Sequence, residues 1–272
     1  MRATTIGFIG GGNMALAMAR GVANDAGAAV TIAEPDASRR RLLRDELPGA
    51  GIGAENLAVA RDAGVIVLAV KPDIVEQVCR ELGSGVALDD RVVVSIAAGV
   101  RSDTIRRWLG ARGHLVRAMP NQPALLGRGV TALVAAGSLP EQARADVETL
   151  ARATGEFLWL PDEDLMDAVT AVSGSGPAYF YLLLEILIDT GVAFGLAPDA
   201  ARRLAVGTAA GAAAVAGAEC DEIAELRERV TSPGGTTAAA LQVLERSDIR
   251  GIFRSALTAA RDRGRELSGS KG

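Results

Sequence analysis

Short apolar runs alternate with amphipathic helical patterns through the first 160 residues of the chain. The apolar runs cover residues 4–9, 29–33, 65–70, 91–97 and 115–119. Helical patterns lie between several of them, over residues 13–23, 37–46, 72–82 and 102–109. Continuous apolar strands that alternate with helices predict an α/β domain with a parallel sheet covered on both faces. Two further runs, 130–135 and 156–160, flank a helical pattern that starts near Pro140, and we expect them to extend the sheet at one edge.

The strand pattern stops at Glu163, and long helical patterns rich in Ala, Leu and Gly follow. They cover residues 163–196, 198–218, 221–230, 236–245 and 248–267. This shift predicts a domain boundary near Pro161, with an α/β domain over residues 1–161 and an all-α domain over residues 162–272. Small side chains let helices approach one another closely, so we expect the all-α domain to dimerise with a second copy of the chain.

Composition narrows the class of protein. With 272 residues and 49% apolar content, the chain can form a real core. A net charge of −4 and the absence of a long basic run argue against a nucleic-acid partner. Two cysteines, Cys79 and Cys220, cannot form a disulfide framework and indicate a reducing compartment.

No segment predicts secretion or a membrane span. The N-terminal stretch MRATTIGFIGGG lacks the regions of a signal peptide. Residues 204–218 are apolar but too short, and too rich in Ala and Gly, to cross a bilayer. The more apolar residues 178–196 carry Glu185 and Asp189, so we expect a buried helix there. These features predict a cytoplasmic protein.

Basic side chains for proton transfer are scarce. The chain has two lysines, Lys71 and Lys271, and one histidine, His114. The segment SGSGPA, residues 173–178, could be taken for a serine nucleophile turn, but no histidine lies in that half of the chain to act as its base. We therefore interpret it as a break in the helix.

A glycine cluster follows the first predicted strand. Gly10, Gly12 and Ala15 form a G-x-G-x-x-A pattern that opens a helix. This context matches the dinucleotide fingerprint, in which a tight turn and close backbone approach place a pyrophosphate at the helix N-terminus. The α/β domain is therefore predicted to be a Rossmann-like NAD(P)-binding domain.

The next strand ends at Glu34, where an acidic side chain would bond to a ribose 2′-hydroxyl and favour NAD. Ser38, Arg39 and Arg40 follow, and a serine with an arginine suits a 2′-phosphate. Residues 36–41 can equally be an N-cap and a solvated helix face. The choice between NADH and NADPH stays open on this pattern.

Two later strand ends carry further candidates, and the first of them faces the same crevice of the open α/β sheet as the glycine turn. One ends in Lys71, followed by Pro72 as the predicted first residue of a helix. Lys71 is either a ligand contact or an ordinary surface lysine. The other ends in Ala97, Ala98 and Gly99, whose small side chains would let a flat ring lie against the backbone.

The segment TSPGGTT, residues 231–237, contains turn residues and four hydroxyl side chains but no His, Lys, Asp or Glu. It can be a turn with the N-cap of the following helix. It can also be a cradle in which backbone N–H groups bind an anion. Both interpretations stay open from the residues alone.

The chain resembles the pyrroline-5-carboxylate reductase family over nearly its whole length. The resemblance rests on GFIGGGNMA (7–15), LAVKP (68–72), SIAAGV (95–100), RAMPNQPALLGRG (117–129), AVSGSGPAYFY (171–181) and RERVTSPGGTTAAAL (227–241). It implies NAD(P)H-dependent reduction of L-Δ1-pyrroline-5-carboxylate to L-proline and no metal. It also implies a homodimer with active sites built from both subunits, and, in many members, larger rings such as a decamer built from dimers.

The resemblance also implies site residues. Cofactor contacts map onto Ile9, Gly10, Gly11, Gly12, Asn13, Met14, Asn56, Ala69, Val70, Lys71, Pro72, Ala97, Ala98 and Gly99, and Glu34 is added from the strand-end argument. Substrate contacts map onto Ser232, Gly234, Gly235, Thr236 and Thr237, with Asn121 as a further candidate. Thr237 would lie near the ring nitrogen as the catalytic residue. Glu34 and Gln122 depart from the residues common in many members, and Glu34 leaves the choice between NADPH and NADH open.

The scarcity of lysine and histidine suits this reaction, because a protonated imine is already a strong electrophile. A β-hydroxyacid dehydrogenase shares the glycine-rich start but needs a catalytic lysine on a long helix, and residues 163–196 contain none. A dinucleotide-binding protein without enzymatic activity would have no use for the TSPGGTT loop.

Overall fold

The fold is described from a computed structural model that covers residues 5–25, 28–218 and 222–269. Cys220 and Lys271 lie outside the described residues, as do the first residue of the predicted strand 4–9 and the first residue of the predicted helix 221–230. Eight strands form one sheet. They are β1 (Ile6–Ile9), β2 (Val30–Ala33), β3 (Gly51–Gly53), β4 (Val65–Leu68), β5 (Val92–Ser95), β6 (His114–Met119), β7 (Gly129–Ala135) and β8 (Gly155–Trp159).

The strand order is β3-β2-β1-β4-β5-β6-β7-β8. Strands β1 to β6 pair in parallel, β7 runs antiparallel to β6, and β8 runs parallel to β7. The predicted parallel sheet and its extension at one edge are therefore confirmed. Strand order reverses between β1 and β4, which is the point where an open α/β sheet forms its ligand crevice.

Helices cover both faces of this sheet. The helices of the α/β region are α1 (Asn13–Asp25), α2 (Ala37–Glu46), α3 (Asn56–Asp62), α4 (Val75–Gly85), α5 (Ser102–Trp108) and α6 (Glu141–Arg152). Alternate residues of each strand point to opposite faces, so Phe8 and Val67 join one core cluster while Ile9 and Leu68 join the other. This two-sided burial explains why the strands are continuously apolar.

Two local features differ from the sequence prediction. Pro72 does not begin a helix: it lies in a turn closed by the Ile74 N–H to the Lys71 carbonyl, and α4 begins at Val75. Strand β3 and helix α3 were not predicted, because three residues rich in glycine and a seven-residue helix give too short a pattern to detect.

The described residues after β8 are mainly helical. A short 3₁₀ turn, Glu163–Leu165, leads into α7 (Met166–Val169) and a π-helical turn, Thr170–Gly174. The segment SGSGPA is thus not a complete break but a π turn that passes into the next helix. The helices that follow are α8 (Gly176–Ala193), α9 (Pro198–Ala218), α10 (Ile223–Arg229), α11 (Thr236–Arg246) and α12 (Ile249–Gly269).

The chain forms two compact units. One comprises Met1–Ser175 with Ala260–Gly272, and the other comprises Gly176–Ala259. The first unit therefore includes residues beyond the boundary expected near Pro161, since the π turn and the end of α12 belong with the sheet.

Helix α8 corrects the expectation of a buried helix over residues 178–196. Within this chain its apolar side chains are largely exposed, with Phe180 at 66% and Phe194, which follows the helix, at 84%. Apolar content indicates that a surface is covered, but it does not say whether the same chain covers it.

One helical stretch among the described residues, Glu163–Ala193, is long and apolar enough to cross a membrane. Length and composition are weak grounds for a membrane span, since buried helices of other proteins meet the same test.

Candidate active site

The glycine turn between β1 and α1 has the backbone that a dinucleotide requires. Gly10 has φ 98°, and its N–H donates to the Ala33 carbonyl oxygen at 2.8 Å. A Cβ on Gly10 would lie 2.8 Å from the Ala69 carbonyl oxygen, so only glycine fits. A Cβ on Gly12 would meet no atom within 4 Å. The Gly12 backbone therefore borders open space at the N-terminus of α1, which fits an approaching pyrophosphate.

Glu34 follows the end of β2 and turns toward this glycine turn. Its carboxylate accepts hydrogen bonds from the N–H groups of Gly11 and Asp36, both at 2.9 Å. Arg39 donates from Nε to the Gly11 carbonyl oxygen at 2.6 Å and from Nη2 to the Asn13 Oδ1 at 3.0 Å. The structure thus brings Glu34 together with the predicted glycine residues, and it adds Arg39 to the same cluster.

The neighbouring strand ends border the same crevice. The Ala69 N–H donates to the Ile9 carbonyl oxygen at 2.8 Å, which places residues 69–72 beside the glycine turn. Lys71 is exposed there. Gly99 has φ 72°, and a Cβ on it would lie 3.3 Å from Cβ of Leu267 near the end of α12. The sequence offered no signal for Leu267, because nothing local links a C-terminal helix to this strand end.

Asn56 is half-buried at the start of α3. Its Nδ2 donates to Oε2 of Glu81 on α4 at 2.9 Å. The side-chain amide thus links α3 to α4 on one face of the sheet. The backbone of Asn56 lies just beyond the carboxyl end of β3.

Asn121 links three segments. Its Oδ1 accepts from the Val130 N–H at 2.9 Å, and its Nδ2 donates to the hydroxyl of Ser173 at 3.1 Å. Ser173 lies within the π turn. Both ends of the Asn121 amide are therefore used to join the loop after β6, the start of β7 and the π turn, which indicates a positioning role.

The TSPGGTT loop is described separately, within the helical unit. Gly234 has φ 71°, and the Gly235 N–H donates to the Ser232 carbonyl oxygen at 3.0 Å. Helix α11 begins at Thr236, as predicted, with Gly235 at its cap position. Within the described part of the chain no side chain caps this helix, and its first turn contains no acidic residue. Thr237 is half-buried, whereas Ser232 and Thr236 are exposed.

This geometry leaves the start of α11 able to receive an anion. The first N–H groups of a helix have no partner within the helix, and the helix dipole adds partial positive charge there. The Thr231 hydroxyl donates to the Arg227 carbonyl oxygen at 2.6 Å. The hydroxyls of Ser232, Thr236 and Thr237 do not cap the helix, so they stay available to a ligand.

Among the described residues, Cys79 is not a candidate nucleophile. Cys79 is completely buried on α4, and burial raises the pKa of its thiol to about 12. A thiol with that pKa is not a nucleophile near neutral pH. No cluster of three or more His, Cys, Asp or Glu suited to a metal ion occurs among the described residues.

The doubly wound sheet carries a glycine turn at the point where its strand order reverses, and a helical region follows it. This combination is typical of oxidoreductases that bind a dinucleotide in an N-terminal Rossmann domain and continue into a helical domain. A family model described as pyrroline-5-carboxylate reductase dimerisation matches residues 163–267. A second model, described as NADP oxidoreductase, coenzyme F420-dependent, matches residues 5–99.

Individual relatives extend over the whole chain. A pyrroline-5-carboxylate reductase from Pseudomonas aeruginosa is 40% identical and covers 98% of each sequence. One from Pisum sativum is 37% identical over 97% of this chain and 96% of its own. A structure from Coxiella burnetii is 37% identical, with a TM-score of 0.91 over 98% of this chain and 99% of its own. The chain belongs to the pyrroline-5-carboxylate reductase family.

Proposed function

We propose that the chain uses NAD(P)H to reduce L-Δ1-pyrroline-5-carboxylate to L-proline, with the residues of the glycine turn holding the cofactor and the TSPGGTT loop holding the substrate. The relatives from Pseudomonas aeruginosa, Pisum sativum and Pasteurella multocida all carry the name of this activity. A structure from Plasmodium falciparum, 28% identical with a TM-score of 0.87 over 98% of this chain and 99% of its own, was solved with NADP bound. The observation that carries the proposal is full-length similarity to these reductases.

The cofactor would be held by the fingerprint residues and by the neighbouring strand ends. The open backbone at Gly12 and the N-terminus of α1 suit a pyrophosphate, and Glu34 lies where the ribose is expected. When bound, NAD(P)H supplies the hydride that reduces the C=N carbon of the substrate. The chain itself orients that carbon.

The substrate carries a carboxylate and a cyclic imine. The uncapped start of α11 offers backbone N–H groups to the carboxylate. A protonated imine needs no lysine or histidine acid, and Lys71 and His114 are the only such side chains among the described residues. Positioning of two reactants alone can lower a barrier by roughly 7–11 kcal/mol in favourable cases.

Thr237 is the proposed catalytic residue. It occupies the first turn of α11, and its half-buried hydroxyl can both donate and accept a hydrogen bond. We propose that this hydroxyl orients the ring nitrogen and assists its protonation. Ser232, Gly234, Gly235 and Thr236 complete the proposed cradle, and Asn121 is proposed as a further substrate contact.

Replacement of Thr237 tests this assignment. We expect Thr237→Ala to lower kcat/KM by about 10- to 100-fold, the range of a lost hydrogen bond and lost proton assistance, because the ring nitrogen loses its partner. NADH and NADPH affinity, measured by fluorescence titration, should stay unchanged. Ser247→Ala removes an exposed hydroxyl at the other end of the same helix and serves as the matched control. Equal kinetics for wild type and Thr237→Ala would overturn the assignment.

The assembly belongs to the same proposal. The dimerisation family model supports a homo-oligomer, and we propose a homodimer that can assemble into larger rings such as a decamer. We also propose a cytoplasmic location. Sedimentation velocity at micromolar concentration tests the assembly, and a monomer would contradict it.

A further inference from the structure

Glu34 lies at the point where the two nicotinamide cofactors differ. The adenosine ribose of a dinucleotide sits just beyond the second strand of the fold, and NADPH carries a phosphate on its 2′-oxygen where NADH carries a hydroxyl. Both carboxylate oxygens of Glu34 are fixed by main-chain N–H groups, those of Gly11 and Asp36 at 2.9 Å. We infer that the fixed Glu34 carboxylate makes this chain select NADH over NADPH. The inference rests on the proposed cofactor site.

The carboxylate keeps acceptor capacity for a ligand. Two oxygens offer about four lone-pair positions, and the main chain uses two of them. The remaining positions can accept hydrogen bonds from ribose hydroxyls. A 2′-phosphate cannot donate such bonds, and it brings negative charge against a negative group that cannot rotate away.

Arg39 does not supply an open phosphate clamp. A guanidinium binds phosphate most strongly through two parallel N–H bonds from one edge. The Nε–Nη2 edge of Arg39 is already occupied by the Gly11 carbonyl oxygen and the Asn13 side chain. Breaking these bonds would also loosen the glycine turn that holds the pyrophosphate.

Arg40 is held at the same strand end. Its Nη1 donates to the carbonyl oxygens of Glu34 and Pro35, at 2.8 and 2.7 Å. The positive charge of Arg40 reduces the repulsion between Glu34 and a phosphate but does not remove it. The expected selectivity is therefore moderate rather than absolute.

Ser38 is also engaged. Its hydroxyl donates to Oδ1 of Asp36 at 2.5 Å, so its single proton is unavailable to a phosphate. This bond, together with the N–H of Arg39, holds the pKa of the Asp36 carboxyl below its usual value. Asp36 thus adds a second negative charge near the ribose position.

Fluorescence titration of the intact protein with NADH and with NADPH tests the inference without any imine substrate. We expect NADH to bind about tenfold more tightly, a difference of about 1.4 kcal/mol. In Glu34→Gln the ratio should fall to within about threefold, mainly through tighter NADPH binding, because the amide removes the negative charge. The amide has a single acceptor oxygen, so it also gives up one of the two main-chain hydrogen bonds that Glu34 accepts. The matched control Asp45→Asn removes an exposed carboxylate on α2 and should leave the ratio unchanged. Equal or tighter NADPH binding by the wild type would overturn the inference, as would an unchanged ratio in Glu34→Gln.

If Glu34→Gln does not fold, competition by cofactor fragments tests the inference on the wild-type protein alone. Wild-type protein should bind 5′-AMP more tightly than adenosine 2′,5′-bisphosphate if Glu34 repels the extra phosphate. The reverse order, with loss of bisphosphate binding in Arg39→Gln, would show that the arginines recognise the phosphate instead. Because both binding tests omit the imine, NADH selectivity without reduction of pyrroline-5-carboxylate would refute the proposed function and leave this inference standing.

Discussion

Gly10 and Gly12 meet different requirements of this structure. Gly10 is buried with φ 98°, and its Cβ position lies against the backbone of residue 69. Gly12 is exposed, and its Cβ position is open. The fold therefore requires glycine at the first position, whereas at the second position only a bound ligand can require it.

Alanine substitutions should separate these two requirements. Gly10→Ala should lower the free energy of unfolding by roughly 1–3 kcal/mol through backbone strain and the close contact with Ala69. Gly12→Ala should leave that free energy within about 0.5 kcal/mol of wild type, the usual range for a surface change. Its NADH affinity should fall about tenfold or more, because the added methyl group occupies the space of the pyrophosphate. Urea denaturation and NADH titration give both quantities, and normal NADH affinity in Gly12→Ala would contradict this role.

Strand β6 is joined to the start of the helical region by a buried ion pair. Arg117 on β6 donates from Nη1 to Oε1 of Glu163 at 2.6 Å, and the two side chains are 10% and 15% exposed. The same Glu163 oxygen accepts from the N–H of Ser102 at the start of α5. Three elements distant in sequence therefore share one carboxylate.

Loss of this carboxylate should destabilise the protein strongly. Glu163→Gln leaves Arg117 as a buried charge without its counter-ion, which typically costs about 3–5 kcal/mol of unfolding free energy. The control Asp164→Asn removes a neighbouring carboxylate that pairs with Arg101 and is 71% exposed, and it should cost less than about 1 kcal/mol. Equal midpoints for the two variants in urea denaturation would show that burial of the pair contributes nothing.

Among the residues that the structure describes, an apolar surface of α8 is left without cover. Along α8, Phe180, Tyr181, Leu182, Ile186 and Leu187 are each more than half exposed. Single monomeric proteins rarely expose so large a patch, and the dimerisation family model covers the same residues. The patch is therefore best explained as the surface that a second copy buries.

Charge on this surface should prevent association. Phe180 and Leu187 lie seven residues apart on one face of α8, so the double substitution Phe180→Glu/Leu187→Glu places two charges at the contact. We expect it to shift sedimentation from dimer to monomer, since each buried anchor contributes roughly 2 kcal/mol or more. Leu42→Glu on α2 is the matched control and should stay dimeric. A double variant that sediments like wild type would contradict this interface, and binding of wild type to phospholipid vesicles would favour a membrane instead.

Local pattern alone predicted much of this molecule. Apolar runs located the strands, helical periodicity located α2 and α9 at their observed bounds, and the spacing of Gly10, Gly12 and Ala15 located the cofactor turn. These features depend on residues that lie close together in the chain, so a short stretch of sequence contains the whole signal. Strand β3 was missed because its pattern is too short to stand out.

Contacts between distant residues were settled by the folded chain. The sequence around Glu34 did not decide between NADH and NADPH. In the folded chain the Glu34 carboxylate accepts a hydrogen bond from the Gly11 N–H, and Arg39 donates to the Gly11 carbonyl oxygen. Folding also paired Arg117 with Glu163, set Leu267 against Gly99, and left α8 exposed where sequence predicted burial. Hydrophobic periodicity indicates that a face of a helix or strand is covered, and the sequence shows which polar side chains can form hydrogen bonds. Which partner covers the face or receives the hydrogen bond depends on packing across the whole chain and its second copy, and no local stretch contains that information.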